Sequence, residues 1–147
     1  MIKGRLDSIN ISAEKGTKKK PIIQAKLVIN HGIEGDAHAG DWHRQISLLS
    51  QSSIDKMRAL GLNDLQAGDF AENLTISGID VSKLPVGTLL KVGVAEMRIT
   101  QIGKECHGGC EIKAQVGDCV MPREGVFAEV VTEGIVIEGD VVEMKNT

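Results

Sequence analysis

The chain has 147 residues, 41% of them hydrophobic and 25% charged, which suits one sizeable buried core and excludes a disordered polymer. A net charge of -3 and an aromatic content of 2% argue against nucleic-acid binding, which depends on basic patches and stacking faces. No apolar run approaches the roughly 18 residues of a membrane span, so neither nucleic acid nor membrane is expected as a partner.

The opening Met1-Ile2-Lys3-Gly4-Arg5 carries no apolar core of a secretory signal. Three cysteines, an odd number, read as reduced thiols and not as a disulfide framework, so a cytoplasmic setting is expected. Oligomeric state is not legible.

Turns are written mainly with glycine. There are 17 glycines against 3 prolines, and Gly-Asp recurs at Gly35, Gly40, Gly68, Gly117 and Gly139. Glycine accepts positive φ, and aspartate bonds to its neighbouring backbone, so each pair suits a tight turn. Between these turns, β-prone runs predict strands near residues 2–9, 24–29, 45–49, 73–76, 88–92, 95–102, 126–131 and 141–144. The run Lys18-Lys19-Lys20 reads as a solvated loop.

Before the third of the long strands lies a dense polar cluster, His38-Ala39-Gly40-Asp41-Trp42-His43-Arg44. Arg44 offers a planar fork for phosphate or carboxylate, with His38 or His43 beside it. The alternative is a loop whose side chains are solvated or satisfy carbonyls. A helix is expected from Ser50–Ser53, with serine as its cap, Ile54, Met57 and Leu60 at helical spacing, and Gly61 as its stop. In Gly68-Asp69-Phe70-Ala71-Glu72-Asn73, Glu72 and Asn73 could orient a ligand or complete turn hydrogen bonds around a buried Phe70.

The chemistry concentrates after residue 102, in Gly103-Lys104-Glu105-Cys106-His107-Gly108-Gly109-Cys110, with Cys119 nine residues on. A reactive thiol needs a lowered pKa, solvent access and nearby positive charge or N–H donors. Lys104 and His107 could stabilise a thiolate, and Gly108 and Gly109 let backbone N–H groups approach an anion. Three readings stay open: a nucleophile or persulfide carrier, a structural zinc site built from Cys106, His107, Cys110 and Cys119, or cysteines that are small buried hydrophobes. Further on, Arg123 in Pro122-Arg123-Glu124-Gly125 is the residue of that segment able to reach an anion. Many short strands with one helix predict a single domain over residues 1–147, a barrel or a sandwich.

Several of these segments taken together resemble the MOSC domain, the C-terminal domain of molybdenum-cofactor sulfurases. They are Gly35-Asp36-Ala37-His38, Arg44-Gln45-Ile46-Ser47-Leu48-Leu49, Gly68-Asp69-Phe70-Ala71-Glu72-Asn73-Leu74-Thr75, Leu84-Pro85-Val86-Gly87-Thr88, the cysteine segment and the closing Gly139-Asp140. Gly117-Asp118-Cys119-Val120-Met121-Pro122-Arg123 is similar to the short stand-alone bacterial type. The resemblance implies a mainly β fold, a closed and mostly antiparallel β-barrel with a few short helices. It also implies molybdenum-cofactor (molybdopterin) metabolism and sulfur transfer through a cysteine. Larger relatives ligate molybdenum through a cysteine whose match here is Cys110, which makes Cys106 the second thiol.

The leading expectation is a sulfur carrier or sulfurtransferase. Cys110 and Cys106 would act with His107 and Lys104, while Arg44, His38, His43, Arg123 and Asn73 would bind the cofactor. Pyridoxal phosphate would enter only through a partner cysteine desulfurase, and a molybdoenzyme would be the acceptor. The alternatives are a non-catalytic module that binds and delivers the cofactor, or a structural zinc protein.

Overall fold

In the computed structural model the described residues are 3–14, 19–61, 68, 70, 72–103 and 124–145. The long strand β1 (Lys3–Ile11) has two edges in use. One pairs with β6 (Leu74–Ser77), the other with β11 (Val141–Lys145) and then with short β2 (Lys20–Ile22). From β11 the ladder runs through β7 (Leu89–Val92), β8 (Ala95–Ile102), β9 (Val126–Thr132) and β5 (Ile46–Ser50) back to β6. Seven strands thus close on themselves, with β2 appended. Closure leaves no open edge among the seven. A second sheet joins β10 (Gly134–Ile137), β3 (Gln24–Val28) and β4 (Gly32–Ile33). The expected barrel is the observed one.

Alternation builds the core. In β8, Ala95, Met97 and Ile99 are buried while Glu96, Arg98 and Thr100 are not, so one face packs inward. Strand β1 departs from strict alternation, because a register shift between Leu6 and Ser8 lets Leu6 and Ile9 both reach the core. Strand β5 is buried along its whole length. Among the described residues it forms the one parallel pairing, with β6, and such a pairing needs a crossover connection. The helix α1 (Gln51–Ala59) lies on that connection and packs against β5 and β6.

The structure differs from the expectation in two respects. Strands β2, β4 and β10 were not expected: the first two have only three and two residues, and β2 accommodates Pro21 because it is an edge. Ser50 stands at the N-cap of α1 but makes no capping bond with its side chain. Its hydroxyl instead donates to the Ile79 carbonyl at 3.3 Å and accepts from the Val81 N–H at 2.8 Å, serving the 3-10 turn Val81–Lys83. The Gly61 stop does hold, with φ at +113° and its N–H on the Arg58 carbonyl. Among the described residues, no helix is long and apolar enough to cross a membrane.

Candidate functional site

The far end of β8 carries a bulge. Ile99 faces Ala128 on β9, but Gln101 faces the next residue, Phe127, so Thr100 is the extra residue in the ladder. Its hydroxyl is placed between the carbonyls of His43 and Phe127, the latter 3.1 Å away. The bulge also turns Gln101 to use both ends of its amide. Its Oε1 accepts from Arg44 Nε at 3.1 Å and lies 3.0 Å from His43 Nε2, and its Nε2 donates to the Gly103 carbonyl at 2.8 Å. The Arg44 guanidinium carbon sits 5.1 Å from the centroid of the Phe127 ring, a cation–π arrangement. Arg44 is half-buried and His43 exposed.

This cluster stands where the cysteine segment departs. The Gly103 N–H donates to the Gly125 carbonyl at 2.6 Å, so the segment's two flanks are joined at one place beside β8 and β9. The returning flank is tied a second time. Glu124 accepts from Ser53 Oγ at 2.6 Å and from Lys56 Nζ at 3.0 Å, both on α1. Cys106, Cys110, Cys119, Lys104, His107 and Arg123 all lie outside the described residues. The zinc alternative rests on the same stretch; among the described residues, no group of three or more metal-ligating side chains occurs.

His38 belongs to a different cluster. Its Nδ1 lies 2.9 Å from Lys19 Nζ, and its main-chain N–H donates to Asp36 Oδ2 at 3.1 Å. Lys19 also reaches Asp36 Oδ1 at 2.7 Å and Ser12 Oγ at 3.3 Å, and both members of the ion pair are fully excluded from solvent. The expectation of a solvated lysine run is therefore corrected at Lys19. A buried ammonium demands a counter-charge and further acceptors, and Asp36, Ser12 and His38 provide them. Trp42 links the two clusters: its ring N–H donates to the His38 carbonyl at 2.9 Å, and its ring meets that of His43 edge-on at 5.8 Å.

Asn73, expected as a cofactor ligand, is fully buried. Its Oδ1 accepts from the main-chain N–H of Ser47 at 2.9 Å and its Nδ2 donates to the Asn10 carbonyl at 3.0 Å, so it ties β1 to β5. That role is a correction in favour of the structural alternative. Buried Glu72 accepts from the N–H groups of Gly68 and Phe70, each at 3.1 Å, completing the turn.

Two carboxyls here are shifted in opposite directions. Burial is the largest influence on Asp36 and acts upward. The Lys19 and Ser12 hydrogen bonds and the Lys19 charge outweigh it and hold the carboxyl below its ordinary range. Burial dominates at Glu72 and pushes its pKa up, against the opposing pull of the backbone N–H groups it accepts from.

Residue-type reasoning missed Gln101, Thr100, Ser53, Lys19 and Asp36 as parts of these clusters. The sequence marked Asp36 only as part of a turn, Lys19 only as part of a solvated run and Ser53 only as part of a helix start. A surface groove of about 370 Å³ between α1 and the end of β6, lined in part by Asp55, Ile76 and Asp80, contains none of the expected site residues.

No curated protein matches the chain significantly. Solved structures similar to it include YuaD from Bacillus subtilis, at 18% identity and a TM-score of 0.81, covering 97% of this chain and 95% of that one. YiiM from Geobacillus stearothermophilus is similar at 18% identity and a TM-score of 0.74, covering 97% and 75%. YiiM from Escherichia coli follows at 16% and 0.71, covering 100% and 71%. At these identities the likeness is one of fold. The family model of the MOSC domain matches residues 35–143, which span the Arg44 cluster, the cysteine segment, five of the seven barrel strands and part of a sixth, β11. On that match, the chain belongs to the MOSC domain family.

Proposed function

We propose that the protein handles sulfur for the molybdenum cofactor, carrying it on Cys110 as a persulfide or meeting the metal with that thiolate. The observation that carries this reading is the convergence of Arg44 and His43 on Gln101, whose amide holds the carbonyl of Gly103 at the root of the cysteine segment. Membership of the MOSC family supports it.

The donor set suits the cofactor's phosphate. Gln101 and Phe127 orient a half-buried guanidinium, whose terminal nitrogens match a phosphate edge by charge-assisted hydrogen bonds. His43, His38 and Arg123 complete the proposed anion-binding group. Asn73 is not part of it, because its side chain is spent inside the barrel. The cofactor, when bound, supplies a soft metal centre that accepts sulfur or thiolate ligands.

The chain's own part is nucleophilic. The Cys110 thiolate, favoured by Lys104 and His107, attacks the outer sulfur of a persulfide on a cysteine desulfurase. One S–S bond forms as the donor's breaks, and the donor leaves as a thiolate, with no net change in oxidation. Cys106 relays the sulfur onward to an acceptor molybdoenzyme. Pyridoxal phosphate stays with the desulfurase. The setting is taken as cytoplasmic, where such thiols stay reduced.

Mass spectrometry after incubation with a cysteine desulfurase and cysteine tests the proposal. A sulfur adduct is expected on the native chain and not on a Cys106→Ala/Cys110→Ala variant. Absence from the former, or persistence in the latter, removes the carrier role. Stoichiometric zinc in the purified protein, with unfolding by chelator, would favour a structural metal instead.

A further inference from the structure

Lys19 is a buried ammonium that the sulfur chemistry does not use. Its Nζ has three neighbours at hydrogen-bonding distance: Asp36 Oδ1 at 2.7 Å, His38 Nδ1 at 2.9 Å and Ser12 Oγ at 3.3 Å. An ammonium has three protons and no lone pair, so each contact must be a donation. The count closes.

At His38 only one protonation state fits this count. Nδ1 must offer its lone pair, which leaves the ring neutral with its single proton on Nε2. An imidazolium, or the other neutral tautomer, would point an N–H at the ammonium. A neutral lysine could accept from such an N–H, but it would leave the carboxylate 2.7 Å away without a counter-charge in a site closed to solvent. Asp36 cannot compensate a second proton on the ring either. Its Oδ1 already takes Lys19 and the Ser12 N–H, and its Oδ2 takes the main-chain N–H of His38 itself. Lys19 and Asp36 are both in contact with His38, and Trp42 joins its carbonyl to the ring of His43.

We infer that Lys19 is a positioning residue that locks His38 as a neutral imidazole protonated on Nε2. The ring then serves its site as one directional hydrogen-bond donor, neither as a cation nor as a base at Nε2. The inference rests on the proposed cofactor-binding role of His38 only for the ligand. There the fitting partner is an acceptor oxygen, of a phosphate or a carbonyl, with the positive charge supplied by Arg44.

Long-range proton–nitrogen NMR on the full chain without ligand tests the state directly, with His38→Gln used to assign the signals. The expected pattern is a ring protonated on Nε2 at pH 7 that titrates below the ordinary imidazole value. A ring protonated on Nδ1, or an imidazolium at pH 7, overturns the inference. In a Lys19→Met/Asp36→Asn variant, which removes both charges together, the His38 titration should move up by about one pH unit. An unmoved titration in the folded variant would show that Lys19 is not what holds the ring. Should that variant not fold, the native tautomer and titration decide. Neither measurement needs sulfur or cofactor, so the result is independent of whether the cysteines carry sulfur.

Discussion

Lys19 and Asp36 form an ion pair of 2.7 Å with both side chains fully closed to solvent. The pair fastens the start of β2 to the turn that opens the His38–Arg44 loop, so it couples the edge of the barrel to the polar cluster. Removing one partner leaves the other charge buried and uncompensated. Lys19→Met should cost about 3–5 kcal/mol, whereas Lys19→Met/Asp36→Asn should cost clearly less than the two single changes added. Urea unfolding of the four proteins measures the coupling, and additive losses would show that there is none.

The two shifted carboxyls predict opposing pH dependences. Asp36 has a depressed folded pKa, so its stabilisation is present above its unfolded value of about 3.9 and is lost as pH falls through the lower folded value. Glu72 has a raised folded pKa, so its contribution is full below an unfolded value of about 4.3 and is lost as pH rises through the folded one. Asp36→Asn should therefore flatten the acid limb of the stability profile. Glu72→Gln should flatten the decline that begins above about pH 4.3. Urea midpoints collected from pH 3 to 7 measure this: a steeper limb in a variant would mean the sign is mistaken, and an unchanged one that its carboxyl does not contribute.

Gln101 needs both ends of its amide. Gln101→Glu keeps an acceptor for Arg44 but loses the donor to the Gly103 carbonyl, while Gln101→Leu loses both. Because the residue is only half-buried, each change should cost about 1 kcal/mol of stability or less. Sulfur loading on the cysteines should fall about tenfold in the leucine variant and less in the glutamate variant. Equal loading in all three proteins would detach Gln101 from the site.

Gly68 adopts a φ of +90°, and a Cβ there would stand 1.9 Å from the Lys19 carbonyl oxygen. The oxygen itself accepts nothing from Gly68; it is the Lys19 N–H that donates to the Gly68 carbonyl, at 3.1 Å. Gly68→Ala must therefore displace backbone at Lys19 as well as strain its own, and should cost more than about 1 kcal/mol. Thermal unfolding measures this. A neutral substitution would mean that the contact yields easily.

The long strands were legible because inward residues alternate along them, as in Ala95, Met97 and Ile99. The helix was legible because Ile54 and Met57 recur at helical spacing and are both buried. Strand β10 was not, since Ile135 and Ile137 point outward while Val136 is buried, and hydrophobicity without polarity contrast marks no face. Arg44 and His43 were legible as a polar cluster beside glycines. Their partner Gln101, 57 residues from Arg44, was not, because a lone glutamine carries no local pattern.

The order of apolar and turn residues along the chain thus determined the long strands and a choice of barrel or sandwich, since alternation and glycine turns are properties of neighbours in sequence; the barrel itself was implied by the resemblance to the MOSC domain. Tertiary structure alone decided that Lys19 is buried while Lys20 is exposed, that Ser50 serves a later turn instead of its own helix, and that Asn73 braces the barrel. Each depends on which distant acceptor closure of the sheet brings within about 3 Å, and hydrogen bonding is too short-ranged to be read before the chain has met itself.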